Sequence, residues 1–222
     1  MLVVALTTLF VFVACTGEAP VIHSIRYYTI ASHNPQSGER SEALSLFLHV
    51  THDDGDRQLA EWTVSHEDSQ LYWEQTADAW ERRDWDGRTW TGYSSLRAPE
   101  RDGLPRGSYS VRVVDRGGRE SVSEFELRTL DFNLGNARFP ELSPTEVPEG
   151  APPQWTVEHS GDRAIATLVD DQGAFLSDHE IGDGRLSLED FDSPDSDEAA
   201  ALYLKELRQR SEVWLVSGPW AL

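Results

Sequence analysis

Cysteine is nearly absent from this sequence, since Cys15 is the only one in 222 residues. A single thiol excludes an intramolecular disulfide and any metal cage built from several cysteines. Lysine is almost as rare, because Lys205 is the only lysine among 19 basic residues. The fold must therefore be held by its hydrophobic core, to which 8 Trp, 8 Phe and 6 Tyr residues bring large side chains.

Positive charge is scarce as well. The chain has 39 acidic and 19 basic residues, which gives a formal net charge of −20. A field of that sign repels phosphate backbones and anionic lipid headgroups. The composition therefore argues against nucleic-acid binding and against docking on a membrane through protein charge.

The usual catalytic signatures are also missing. The sequence has no Gly-x-Ser-x-Gly, no His-Glu-x-x-His, no P-loop and no dinucleotide-binding glycine pattern. We therefore expect a protein that is not an enzyme, with no catalytic residue, no cofactor and no metal.

The first fourteen residues lack charged side chains. The apolar run from Leu2 to Ala14 is too short to span a hydrocarbon core of about 30 Å at about 1.5 Å per residue. Its length is typical of the apolar region of a signal peptide. It ends in the letters FVAC, which resemble the lipobox of bacterial lipoproteins. An ordinary secretory signal with an incidental cysteine, or a truncated anchor helix, is the alternative interpretation.

The lipobox resemblance implies a lipid on Cys15. Residues 1–14 would then be a lipoprotein signal peptide that is removed, and residues 15–20 would be a tether. Two or three acyl chains on one residue anchor a protein stably, whereas one chain holds it only marginally. The expected location is the bacterial cell envelope, outside the cytoplasm and attached to a membrane through the lipid.

The pattern of the chain from residue 21 to residue 130 predicts β-strands. Leu44, Leu46, Leu48 and Val50 alternate with other residues along one strand, and turn signals separate short strands. The stretch LPRGSYSVRVVDRGGRESVSEFEL resembles the last two strands of bacterial immunoglobulin-like and fibronectin-III-like domains. That resemblance implies an Ig-like β-sandwich in which Tyr109 packs its ring and donates its hydroxyl to nearby backbone.

Three stretches in order resemble spirochaete envelope lipoproteins with one such domain. They are HVTHDDGDRQLAEWTVSH, then LYWEQTADAWERRDWDGRTWTGYSSL, then the hairpin that contains Gly-x-Tyr. The resemblance covers roughly residues 20 to 130. It implies an envelope lipoprotein and assigns it no particular activity.

The rest of the sequence predicts a linker and a second unit. Residues 131–153 are rich in proline and predict a linker, and residues 154–222 predict a small acidic α+β domain. The stretch SPDSDEAAALYLKELRQR predicts one clear helix, with acids in its first turn and bases at its end. Its apolar face would consist of Ala200, Tyr203, Leu204 and Leu207. The predicted fold class is mainly β.

Two acidic segments are candidates for metal binding. In HVTHDDGD, His49 and His52 are three residues apart on a strand and point to opposite faces, so we interpret this segment as a strand end and an acidic turn. Residues 190–198 carry Asp190, Asp192 and Asp195 among their acids and suit Ca²⁺ in ligand type. Their spacing does not match an EF-hand, and we therefore interpret these acids as solvated residues that cap the following helix.

Tryptophan supplies the remaining candidate site. We expect Trp62, Trp73 and Trp90 in the core, and Trp80 and Trp85 as an exposed pair among charged residues.

From these features we predict a lipid-anchored extracytoplasmic protein with a binding or structural role in the cell envelope through protein–protein contact. Which envelope protein or glycan is its partner is unknown. The alternative is a carbohydrate-binding module that uses Trp80 and Trp85, joined by Trp90 if its ring is exposed.

Overall fold

A computed structural model describes residues 17–97, 103–128, 134–148, 152–191, 198–208 and 213–222. In these ranges the chain is mainly β, as the sequence predicts, and its only helical segments are single 3₁₀ turns. The first eight strands are β1 (Val21–His33), β2 (Arg40–Thr51), β3 (Leu59–His66), β4 (Leu71–Thr76), β5 (Glu81–Trp85), β6 (Arg88–Arg97), β7 (Gly107–Asp115) and β8 (Glu120–Leu127). The others are β9 (Glu141–Thr145), β10 (Gln154–Glu158), β11 (Arg163–Val169), β12 (Phe175–Ile181), β13 (Arg185–Ser187), β14 (Ala201–Arg208) and β15 (Val213–Ala221). The 3₁₀ turns are Asp56–Gln58, Glu67–Ser69, Ala77–Ala79, Leu134–Asn136 and Leu188–Asp190.

The strands form one long sheet and two short ones. The long sheet has eight strands in the order β12-β11-β14-β15-β1-β2-β6-β5. The short sheets have the orders β4-β3-β7-β8 and β13-β10-β9. The long sheet is continuous because β15 pairs with β1 in parallel, from Thr29 opposite Val213 to His33 opposite Ser217. Strands from residues 21–130 and from residues 154–222 therefore share one sheet.

Both short sheets pack on the same face of the long sheet, which we call the inner face. Leu46 on β2 belongs to one buried cluster with Trp62 on β3 and Tyr109 on β7. Further along, Leu168 and Leu204 on the long sheet share a second cluster with Val157 on β10 and with Leu186 on β13. The inner face is thus buried on both sides of the β15–β1 junction.

The junction has a small core of its own. Ala31 on β1 and Leu215 on β15 are both fully buried, and Phe139 packs against them. Phe139 lies within the proline-rich segment that the sequence marks as a linker, and β9 begins two residues later. The described part of that segment therefore contributes to the packed structure.

The predicted hairpin and its tyrosine are present. The turn Asp115–Gly118 joins β7 to β8, with hydrogen bonds from Asp115 N to Arg119 O at 2.9 Å and from Gly118 N to Asp115 O at 3.0 Å. The Tyr109 hydroxyl donates to the Pro105 carbonyl at 2.8 Å. Tyr109 is therefore fixed at both its ring and its hydroxyl.

The predicted helix is wrong. Residues 201–208 form strand β14, in which Leu202, Leu204 and Glu206 are buried on the inner face. Alternate residues face inward, which is the period of a strand, although the same segment also places apolar residues at helical spacing. Pairing with β11 on one side and β15 on the other decides between the two patterns. The second unit is consequently all β in its described residues.

The tryptophan-rich crossing is also more regular than its sequence suggests. It contains the hairpin β5–β6, whose two-residue turn is Asp86-Gly87 with φ angles of 54° and 70°. Positive φ at both positions is the geometry of a type I′ turn, for which Asp-Gly is a preferred pair. The hairpin places Trp85 and Trp90 on the edge of the long sheet.

Among the described residues, no helix is long and apolar enough to cross a membrane.

Candidate functional site

The outer face of the long sheet is the side that neither short sheet covers. On β1, Arg26, Tyr28 and Ile30 point outward while Tyr27 packs inward, because successive side chains alternate between faces. Trp214 on β15 points outward in the same way, between the buried residues Val213 and Leu215. Aromatic and aliphatic side chains therefore remain on a solvent-facing surface.

These side chains line a groove of about 600 Å³, which we call the outer groove. Small-molecule sites commonly enclose about 300–1,000 Å³. Tyr28 is the most exposed of its aromatic residues, with 39% of its surface accessible. The floor of the groove consists of Tyr28, Ile30, Ile165, Leu207, Trp214 and Val216.

The register of the sheet explains why the floor is continuous. Ile30 lies opposite Trp214 across the β15–β1 junction, and Trp214 lies opposite Leu207 on β14. Leu207 in turn lies opposite Arg163 on β11. Neighbours across strands are about 4.5–5.5 Å apart and pack against one another. The middle of the outer groove is therefore built by the junction itself.

One end of the groove combines arginine with aromatic rings, and we call it the arginine–tryptophan end. The Arg26 guanidinium lies 4.5 Å from the centroid of the Trp90 ring and 5.7 Å from that of Trp85. The Arg83 guanidinium lies 5.1 Å from the Phe47 ring, and Phe47 meets Trp85 edge-on at 5.0 Å. Cations within about 6 Å of a ring are attracted to its face, so the two arginines help to fix these rings.

Glu81 supplies an ionised acceptor at this end. Burial opposes its ionisation, but hydrogen bonds from Ser94 and Arg83 outweigh it and lower the pKa of Glu81. The Ser94 hydroxyl and backbone N–H both donate to its carboxylate, and Arg83 does so at 2.9 Å. The carboxylate is therefore charged at neutral pH and keeps a fixed orientation.

The opposite end carries a second set of charges, which we call the lysine end. Lys205 Nζ lies 3.7 Å from Asp178 Oδ1, and Arg163 pairs with Glu180 at 3.0 Å. Arg26 and Arg83 at the first end are paired as well, with Asp86 and Glu81. Each of these four lining cations thus has an acid beside it, and Asp178 is the one of those acids that also lines the groove.

The three tryptophans of the alternative, glycan-binding interpretation lie in two places. Trp85 and Trp90 are neighbours on the outer face, with ring centroids 6.0 Å apart and planes at 52°. Trp90 is buried, while Trp85 is partly exposed and lines the groove. Trp80 packs against the inner cluster, and its Nε1 donates to the Gln75 carbonyl at 3.3 Å. The structure therefore does not bring Trp80 and Trp85 together as an exposed pair.

The three tryptophans that we expected in the core are buried or partly buried. Trp62 and Trp90 are almost completely buried, and Trp73 is partly buried against the inner cluster. Trp90 is buried on the outer face, however, beneath Arg26.

The two histidines of HVTHDDGD point to opposite faces, as the strand period predicts. His49 lies on the outer face, with its ring centroid 4.8 Å from that of His23. His52 is buried, and its Nε2 donates to Asp115 Oδ2 at 3.0 Å while its Nδ1 accepts from Asp54 N. Among the described residues, no group of three or more His, Cys, Asp or Glu side chains is arranged to hold a metal ion.

Asp115 is the best-satisfied carboxylate in this region. It accepts from Gly117 N at 2.8 Å, from Arg119 N at 2.9 Å and from Arg119 Nε at 2.6 Å. Burial opposes its ionisation, yet the hydrogen bonds from Arg119 and His52 are stronger and hold the pKa of Asp115 well below its ordinary value. Its partners belong to the end of β2 and to the β7–β8 turn, so its role is structural.

The remaining sequence candidates lie partly outside the described residues. Residues 192–197 of the proposed Ca²⁺ loop are outside them, and so is Cys15. Asp190 is described, and its carboxylate accepts from Ser187 N at 2.6 Å as part of a capping box on a 3₁₀ turn. Capping accounts for this one acid.

Sequence reasoning missed most of the groove. Tyr28, Trp214, Arg163 and Lys205 were not candidates. The sequence does indicate that Tyr28 is outward-facing, because Tyr27 and Tyr28 are adjacent on a strand and must face opposite sides. Only one of them can then enter a single core. No local signal marks the other three, since they come together through pairing between strands that are distant in sequence.

No family model matches the sequence, and no curated protein matches it. Among solved structures, dimeric latent PorU from Porphyromonas gingivalis is similar over 91% of this chain and 20% of its own, at 12% identity and a TM-score of 0.30. The BSP domain of a biofilm associated protein is similar over 89% and 29%, at 13% identity and a TM-score of 0.27. A complex of Dpr11 IG1 with DIP-gamma IG+IG2 is similar over 90% and 99%, at 13% identity and a TM-score of 0.25. The chain thus spans about a fifth of the PorU chain, and likenesses this distant assign neither its fold nor its function.

Proposed function

We propose that this protein is a non-catalytic binding protein of the bacterial cell envelope, and that it meets its partner at the outer groove. The observation that carries the proposal is the groove itself. It is open to solvent, lined by aromatic residues and placed on the face of the long sheet opposite both short sheets. Apolar surface of this kind, rimmed by polar groups, is typical of an interaction site.

Strand order supports an Ig-like fold for residues 21–127. The order β1-β2-β6-β5 corresponds to strands A-B-E-D of immunoglobulin-type sandwiches, and β4-β3-β7-β8 corresponds to C′-C-F-G. Trp62 is buried on the strand that corresponds to C, and the Tyr109–Pro105 hydrogen bond resembles a tyrosine corner. Such sandwiches serve widely as binding modules, which fits the proposal.

The second unit repeats the arrangement. The order β12-β11-β14-β15 corresponds to C′-C-F-G, and β9-β10-β13 corresponds to A-B-E. We infer a tandem of two Ig-like units whose sheets join where the last strand of the second meets the first strand of the first. The outer groove crosses that junction, so both units contribute to binding.

The carboxylates beside the groove fit a binding role. A general acid needs a raised pKa, whereas hydrogen bonds lower the pKa of Glu81 and keep it ionised. Asp178 and Glu180 are each beside a cation. Carboxylates held by cations in this way can accept hydrogen bonds from a ligand, which fits a binding role.

A lipid on Cys15 would place the fold close to a membrane. The Ser121 hydroxyl donates to the Pro20 carbonyl, so the chain is fixed to β8 just before β1 begins. A tether of six residues spans at most about 20 Å when extended. The anchor is tested by the intact mass of the membrane-extracted product beside Cys15→Ser. We expect residues 15–222 plus acyl chains, lost in the variant, and an unmodified chain would refute the anchor.

Binding at the groove is tested with matched tyrosine variants. Tyr28 and Tyr72 are both exposed, at 39% and 66%, but Tyr72 lies on β4 of a short sheet, away from the groove. We expect Tyr28→Ala to reduce retention on immobilised cell-envelope fractions from the source organism by about ten-fold, and Tyr72→Ala to leave it unchanged. Equal retention of the two variants would refute the groove as the binding surface.

A further inference from the structure

We infer that the ligand of the outer groove is a glycan chain without net charge. This inference rests on the proposed function, because it names the partner class of the same site. The residues that support the inference form the middle of the groove and the lysine end, notably Tyr28, Trp214, Arg163 and Lys205.

The backbone around the groove disfavours an extended peptide. The floor lies on β11, β14, β15 and β1. β11 and β14 are paired on both sides, and β15 and β1 pair with each other from Thr29 opposite Val213 to His33 opposite Ser217. Over these stretches the backbone N–H and C=O groups are already used in the sheet ladder, so a peptide lying across them would find no main-chain partners. A sugar chain does not need such partners, since its hydroxyls bond to side chains and to water.

The aromatic floor suits the apolar faces of sugar rings. Tyr28 and Trp214 offer ring surface on adjacent strands β1 and β15, and Trp85 offers a further ring at the arginine–tryptophan end. The C–H groups of a pyranose form an apolar face that packs on an aromatic ring. Ile165 and Leu207 extend the apolar floor toward the lysine end, which gives room for several sugar units within about 600 Å³.

The charged ends suit hydroxyl groups. At each end a cation and a carboxylate lie side by side, Arg83 with Glu81 and Lys205 with Asp178. A donor next to an acceptor matches a pair of neighbouring hydroxyls, each of which donates one hydrogen bond and accepts others. Both ends of the groove therefore offer the same kind of partner, although they come from opposite halves of the chain.

The charges at the outer groove favour a ligand without net charge. The net charge of −20 repels acidic polymers. A basic partner protein would be attracted to the acidic surface of the whole chain and not to this groove in particular. Four cations line the groove, and each forms an ion pair with an acid, of which Asp178 alone belongs to the lining. Binding there gains little from long-range attraction and must come from contact, which is what a neutral chain with apolar faces provides.

The immobilised envelope fraction is treated before the full chain is applied. One portion is digested with a broad protease, and another is oxidised with periodate, which cleaves the vicinal diols of sugars and is then quenched. We expect Tyr28-dependent retention to survive protease and to be lost after periodate. We also expect it to persist when NaCl is raised from about 0.05 M to about 0.5 M, because contacts with a neutral ligand are not screened.

Further variants separate contact from folding. Lys205→Met keeps the apolar stem but removes the donor, and we expect it to weaken retention several-fold with an unchanged melting temperature. Phe175→Ala removes an exposed ring, 63% accessible, at the start of β12 and outside the groove, and is the control. A melting temperature measured for every variant identifies any loss that is due to unfolding.

Each contrary result has a distinct meaning. Retention that depends on Tyr28 but survives periodate and disappears after protease would show that the groove binds protein, which overturns the glycan inference and leaves the proposed function standing. Loss at high salt would show a charged ligand and would also overturn it. Retention that does not depend on Tyr28 under any treatment would overturn both.

Discussion

At the scale of single residues, Asp115 connects parts of the first sandwich that are distant in sequence. Its carboxylate accepts hydrogen bonds from His52 at the end of β2 and from Arg119 in the turn after β7. Both the Asp115 and His52 side chains are fully buried. An ionised group buried in this way depends on its partners, since a buried charge without them is strongly destabilising.

We expect Asp115→Asn to lower the free energy of unfolding by about 3 kcal/mol. An amide has one acceptor oxygen in place of two, and its NH₂ group would face the donors that now surround the carboxylate. Urea unfolding at pH 7 measures the change. Asp53→Asn, in the exposed acidic turn, is the control and should differ little from the native chain.

The lowered pKa of Asp115 implies that the free energy of unfolding depends on pH. The pKa of Asp115 is lowered in the folded state, so its contribution is present above the unfolded value of about 3.9 and decreases as the pH falls toward the folded value. We expect the stability difference between the native chain and Asp115→Asn to narrow below about pH 4. A difference that stays constant on acidification would contradict this.

The orientation of two histidines and one hydrogen bond could be predicted from the sequence around single residues. The two-residue period of a strand separated His49 from His52, and the structure confirms that they face opposite sides. The Gly-x-Tyr resemblance implied a Tyr109 hydroxyl bonded to backbone, which is also confirmed. These predictions depend only on neighbours in sequence or on one local motif, and local geometry is what a sequence specifies most directly.

At the scale of elements, β14 shows how two periodicities can coexist in one segment. Leu204 and Leu207 would share the apolar face of a helix, but in the strand Leu204 is buried on the inner face and Leu207 lies on the floor of the groove. The choice is made by pairing with β11 and β15, which lie elsewhere in the sequence. Local propensity could not have predicted it.

We expect Leu204→Ala to lower the free energy of unfolding by about 3 kcal/mol, and Leu207→Ala by less than about 1 kcal/mol. The first change leaves a cavity in the packed inner face, while the second removes atoms from a solvent-open surface. Urea unfolding of both variants gives the comparison. Similar losses for the two would favour the helix and contradict the strand.

At the scale of the whole molecule, the β15–β1 junction decides the architecture. It joins the end of the chain to its beginning through five parallel residue pairs and a core around Ala31, Leu215 and Phe139. The division into 21–130 and 154–222 remains a prediction, but the two segments share this sheet. The outer groove could not be predicted from sequence because its middle exists only when these distant strands pair.

We expect Leu215→Ala to loosen both strands of the junction. Removing a fully buried leucine weakens the core that Ala31 and Phe139 share, so backbone amides of Thr29–His33 should exchange faster along with those of β15. Hydrogen exchange read by mass spectrometry measures this. Val122→Ala on β8, 56% exposed, should change neither strand, and unchanged exchange of β1 in Leu215→Ala would contradict the junction.

Hydroxyl-radical footprinting of the full chain, with and without envelope fractions of the source organism, tests directly whether the outer groove is the binding surface. Oxidation of Tyr28 and Trp214 reports on the groove, and oxidation of Tyr72 reports on a surface outside it. We predict that envelope material protects Tyr28 and Trp214 together and leaves Tyr72 equally reactive. If Tyr28 and Trp214 stay as reactive as in the free protein while bound material is present, the outer groove is not the binding surface.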